Sequence, residues 1–141
     1  MKKIDDIFPD IGFLPALIVT IALSAALQLG GSWFAMLIAG ALGSLFVRRH
    51  RIAFLVGLLG VMIAWLILYL YLIATAQAMA IADFFIGQLG LTGLGMLVFV
   101  IGSLLGGLLG GFGALFGRSL VEFIDELIPD DDQPQPAESE E

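Results

Sequence analysis

Apolar positions run through this chain in three long blocks, separated only by short polar punctuation. No Asp, Glu, Lys, Arg or His occurs from Ile11 to Val47, from Ile52 to Ala82, or from Phe84 to Gly117. The blocks hold 37, 31 and 34 residues, and a membrane-spanning helix needs roughly 20. As one helix the first block would reach about 55 Å, well beyond a hydrocarbon core of about 30 Å. Gly30-Gly31-Ser32 stands near its middle and marks a turn. The pattern therefore predicts four helices, at about 11–29, 32–47, 52–76 and 89–117, making one membrane domain over 11–117. Residues 77–88 are less hydrophobic, contain Asp83, and are expected along the far interface.

The two ends read differently. In residues 1–10, Ile4, Ile7 and Phe8 share a face with Ile11, while Lys2, Lys3, Asp5 and Asp6 lie off it. That spacing predicts a short amphipathic segment at the interface. Asp5, Asp6 and Asp10 argue against a cleaved signal peptide, whose leading region is basic. Residues 118–129 form a second amphipathic segment, with Leu120, Val121, Ile124, Leu127 and Ile128 opposite Glu122, Asp125 and Glu126. Residues 130–141 are acidic and proline-bearing, and a disordered tail is expected.

Positive residues set the orientation. In a four-helix arrangement Lys2, Lys3, Arg48, Arg49, Arg51 and Arg118 all fall on one side, so both termini are expected in the cytoplasm. Trp33, Tyr69 and Tyr71 then approach the outer interface. The expected fold is an all-α integral membrane protein of four transmembrane helices, in a prokaryotic cell membrane.

The last helix is unusual in its glycines. Residues 87–117 carry eleven of the chain's eighteen, and in a soluble helix each would cost about 1 kcal/mol relative to alanine. In lipid the backbone is held helical by the cost of unmet polar groups, and glycine lets a neighbouring backbone approach closely. Gly95, Gly102, Gly106, Gly110, Gly113 and Gly117 fall on one face and predict a helix-packing surface. Ser103, Gly107 and Gly111 form a second small seam beside it.

Composition agrees. Hydrophobic residues make up 60% and charged residues 13% of the chain, against about 25% charged in globular domains. The net charge of −7 is concentrated, with six acids in the last twelve residues. The remainder is near neutral, so no nucleic-acid partner is implied. The absence of cysteine excludes disulfides, thiolate metal sites and cysteine nucleophiles.

Candidate chemistry is sparse. Thr20, Ser24 and Gln28 continue a four-residue stripe begun by Gly12 and Ala16, and could line a permeation path or simply pack. Asp83 is the one acid between Asp10 and Glu122. It reads as a solvated loop residue or as a ring at an oligomeric pore mouth. Arg48, Arg49, His50, Arg51 and Arg118 read as topology anchors touching lipid headgroups. His50 is the single histidine, and a metal site needs several converging ligands. The internal serines lack a histidine or lysine base. The membrane-embedded glutamate of small multidrug transporters is missing from the first helix, and the chain has no asparagine of the kind fluoride channels use. No cofactor and no enzymatic activity are expected. The expected function is a small non-catalytic multi-pass protein: an accessory or assembly subunit of a larger membrane complex, or a self-associating scaffold. The alternative is a homo-oligomeric channel or small-solute transporter.

Overall fold

The computed structural model describes residues 3–128, and every regular element among them is a helix. In order these are α1 (Ile4–Ile7), α2 (Phe13–Gln28), α3 (Ala35–Ser44), α4 (His50–Ala76), α5 (Ala78–Gly87) and α6 (Met96–Leu127). Two of them, α4 and α6, are long and apolar enough to cross a membrane. With 27 and 32 residues they measure about 40 and 48 Å.

Glycine in the left-handed region sets several boundaries. The turn after α2 passes through Gly31 at φ +69°, where a side chain would be strained. Gly90 and Gly93 adopt φ +82° and +78°, which no right-handed helix accommodates, so α6 begins at Met96 rather than near residue 89. At its other end α6 runs through Arg118 without a break, and the expected amphipathic segment 118–129 is its continuation to Leu127. Residues 77–88 are mostly helical: Gln77 turns left-handed at φ +51° and separates α4 from α5. The third helix is shorter than its sequence block, 10 residues or about 15 Å, with turns filling residues 29–34. The tail expected to be disordered, 130–141, lies outside the described residues.

The four main helices run up, down, up and down. Helices α3 and α4 are neighbours in the middle; α2 packs against one side of the pair and α6 against the other, and α2 does not touch α6. The glycine-rich helix is therefore seated in the groove between α3 and α4, not against α2.

Its glycines are shared between two partners. A Cβ placed on Gly106 would meet Met36, on Gly113 the Leu37 carbonyl, and on Gly117 the Ala41 backbone, all from α3. A Cβ on Gly107 would meet the Leu58 carbonyl and on Gly111 the Phe54 ring, both from α4. Gly110 sits where the three helices meet: its carbonyl is pressed against Gly40 of α3 and Gly57 of α4. Across the α3–α4 pair, Thr20 of α2 occupies the matching notch between Gly43 and Gly60. Gly40 and Gly43 on α3, with Gly57 and Gly60 on α4, thus form two adjacent notches three residues apart. Gly102 instead makes room for the Tyr69 hydroxyl, and Gly95 caps α6 against Asp83.

The glycines differ in what they tolerate. A Cβ at Gly110 falls 2.6 Å from the Gly57 carbonyl oxygen, whereas one at Gly106 meets only the Met36 sulfur and the Trp65 ring edge at 3.3 Å. Gly110→Ala should lower stability by about 1–3 kcal/mol or more, and Gly106→Ala should be nearly neutral. Thermal midpoints of the detergent-solubilised variants check this; equal losses would show that the three-helix junction is not the constraint.

Candidate functional site

Two regions collect the polar and aromatic side chains, one at each end of the bundle. The first is a groove where the α2–α3 turn meets α4. Both tryptophans and both tyrosines of the chain line it, Trp33, Trp65, Tyr69 and Tyr71, together with Gln28, Ser32, Met36 and leucines. Its volume is about 460 Å³. Tyr69 stands 4.9 Å from the Trp65 ring and 4.9 Å from Phe99 of α6, so the aromatic layer continues across the bundle. Trp65 is a wall of this groove. Its indole nitrogen is buried without a hydrogen-bond partner among the described residues, as is the Ser24 hydroxyl.

The stripe Thr20, Ser24 and Gln28 does not form one surface. Thr20 and Ser24 are 0% and 2% exposed, and the Thr20 hydroxyl donates to the Ala16 carbonyl at 2.8 Å. Ser44, Thr75 and Ser103 likewise turn their hydroxyls back to their own helices, the usual outlet for a hydroxyl in apolar surroundings. Only Gln28 reaches the groove. Asp83 is elsewhere, on α5, which packs on α4 and α6. Its carboxylate accepts the Gly95 N–H at 2.7 Å and so satisfies a donor at the start of α6. The structure gives Asp83 this capping contact, and does not bring it to the α2 stripe within one chain.

The opposite end holds the charges. Arg118, on α6, is 4% exposed. Its guanidinium donates both terminal nitrogens to the Asp5 carboxylate at 2.6 and 2.7 Å and its Nε to Glu122 at 3.0 Å. Arg48 donates to the Asp5 carbonyl at 3.1 Å, and His50 lies 3.5 Å from the second Glu122 oxygen. Asp125 accepts the N–H groups of Ile4 and Asp5 at 2.6 and 3.1 Å, closing α1 onto α6. Arg118 is therefore not an open headgroup anchor; its donors are turned inward to carboxylates. Arg48, Arg49, His50 and Arg51 remain exposed at the same end. The Arg118–Glu122 pair is visible in sequence as an i,i+4 spacing. Asp5, more than a hundred residues away, carries no such signal.

Comparison with protein-family models, curated proteins and solved structures finds no match to this chain.

The Arg118 guanidinium bonded to Asp5 holds that carboxyl below the usual carboxylate range; partial burial opposes this, and Arg48 assists it. A lowered folded-state value stabilises the fold above the unfolded pKa of about 3.9 and is lost as pH falls through the folded value. Asp5→Asn should cost about 2–3 kcal/mol at neutral pH, because a buried guanidinium loses its bidentate partner. Acid titration of the thermal midpoint checks the cause: the fall below about pH 4 should be shallower in Asp5→Asn than in the parent chain. Identical acid slopes would assign the loss to other carboxylates.

Proposed function

We propose that this chain is a four-span membrane protein, with both termini cytoplasmic, that serves as a small non-catalytic subunit of a larger membrane complex. The observation that carries the membrane reading is the separation of the two end layers. From His50 at the charged end to Tyr69 in the aromatic layer is 19 residues along α4, about 28 Å. From Phe99 to Arg118 along α6 is again 19 residues, and again about 28 Å. Both match a hydrocarbon core of about 30 Å. The arginines stand at one boundary and the Trp and Tyr residues toward the other, as interfacial anchors do.

The outward surface between these layers supports the same reading. Ile67, Leu70, Ile101, Leu105, Phe112 and Phe116 are each more than half exposed, a larger apolar area than a water-soluble surface carries. The α2–α3 hairpin is short, but its turn reaches the level of Tyr69–Leu72 on α4, so it spans the same depth with irregular residues at its ends.

The subunit reading follows from where the small residues went. The glycine seams of α6 close within one chain, which leaves bulky apolar side chains facing outward for lipid or a neighbouring protein. A scaffold that self-associates through Gly106 and Gly110 is less favoured, since both are buried in the bundle. The oligomeric channel reading requires Thr20, Ser24 and Gln28 to face a shared axis.

The native chain has no cysteine, so single cysteines report topology cleanly. Arg49→Cys should be labelled by a membrane-impermeant maleimide only from the cytoplasmic side, and Thr92→Cys only from the other. Labelling of both from one side would overturn the four-span arrangement. Native mass spectrometry of gently extracted material should then show a reproducible heteromeric complex. A homo-oligomer with solute flux in liposomes would favour the channel, and a bare monomer would remove the subunit reading.

A further inference from the structure

A second groove, of about 480 Å³, opens at the charged end between α4 and α6. Its walls are Phe54, Leu55 and Leu115, and its rim is His50 and Arg51. Gly111 lets the Phe54 ring lie close against α6, since a Cβ there would fall 2.7 Å from the ring. Phe112 meets the same ring edge-on at 6.0 Å. Among the described residues Arg51 forms no ion pair or hydrogen bond through its side chain, and it is exposed. The rim also lies at the start of α4, whose N-cap residue Arg49 supplies no side-chain cap. The N–H groups of His50, Arg51 and Ile52 are therefore unmet among the described residues and add a positive end to the site. Glu122 lies 3.5 Å from His50 and accepts a hydrogen bond from Arg118 Nε at 3.0 Å.

Arg51 and the amino end of α4 above an apolar trough match a phosphodiester joined to long hydrocarbon chains. We propose that the α4–α6 groove holds one anionic phospholipid, its phosphate against Arg51 and His50 and an acyl chain along Phe54, Leu55 and Leu115. Free phosphate would find the rim but nothing for the trough to hold. The proposal rests on the membrane reading above, which puts His50 and Arg51 at headgroup depth. The lipid would bridge α4 to α6 beside the Arg118–Glu122 pair and so brace the end of the bundle that α1 closes.

The test reconstitutes the full chain in vesicles of equal phosphatidylglycerol and phosphatidylcholine, extracts it gently, and counts retained lipid by native mass spectrometry. One phosphatidylglycerol per chain should persist, in preference to phosphatidylcholine and in the presence of millimolar inorganic phosphate. Arg51→Gln should reduce its retention about fivefold or more, while Arg49→Gln, exposed at the same end but outside the groove, should leave it unchanged. Equal retention of the two lipids, or an unaltered Arg51→Gln, would overturn the site. Equal losses in both variants would also overturn it, in favour of a diffuse basic surface; displacement by phosphate alone would do so in favour of a simple anion site. Failure of the chain to float with vesicles would instead remove the membrane reading itself, so the two failures are told apart.

Discussion

The packing of this protein depends on how closely three backbones can approach at Gly110. With Gly40 on one side and Gly57 on the other, α6 enters the α3–α4 groove to a depth that a single methyl group would forbid. Thr20 makes the equivalent entry from the opposite side, between Gly43 and Gly60. On the proposed membrane reading there is little hydrophobic gain from bringing helices together in lipid, so contact area between close-fitting surfaces would carry the association. Paired glycines three residues apart on α3 and α4 provide that fit to both neighbours at once. The central pair is the template, and the outer helices are shaped to it.

This arrangement divides the molecule by depth. The middle layer contains few polar side chains; the hydroxyls of Thr20 and Ser103 return to carbonyls one turn back, while the Ser24 hydroxyl and the Trp65 indole nitrogen have no partner among the described residues. Longer-range polar contacts are confined to the ends. At one end Asp83 supplies an acceptor to the start of α6. At the other, Arg118, Asp5, Glu122 and Asp125 tie the amino-terminal segment to the last helix. An arginine at 4% exposure is held in place by bidentate geometry, since a buried guanidinium without that partner would be costly. The two grooves open at these same end layers, where aromatic or cationic side chains meet apolar walls.

Much of the architecture was legible in the residue pattern because each signal was local. Charge-free blocks predict long apolar helices, and α4 and α6 are such helices. Gly30-Gly31-Ser32 predicts a turn, and Gly31 makes it at positive φ. The glycine register on the last helix predicts one packing face; Gly113 and Gly117 lie against α3, Gly102 and Gly110 against α4. The start of that helix was misplaced because Gly90 and Gly93 look like further members of the register, although their backbones are left-handed. The polar stripe of α2 is open in the sequence to either a lining or a packing face. Nothing in its spacing revealed that Thr20 would be enclosed by two glycines from other helices.

By itself the sequence determined an all-helical, strongly apolar chain with its charges gathered at the helix ends, because helix length, charge exclusion and turn chemistry are properties of neighbouring residues. Only the tertiary structure decided which helix receives which glycine, that α6 lies against α3 and α4 across the pair from α2, and that Arg118 is paired with Asp5. Those choices depend on shape matching between surfaces far apart in the chain. A four-residue register of small side chains looks the same whichever partner it awaits.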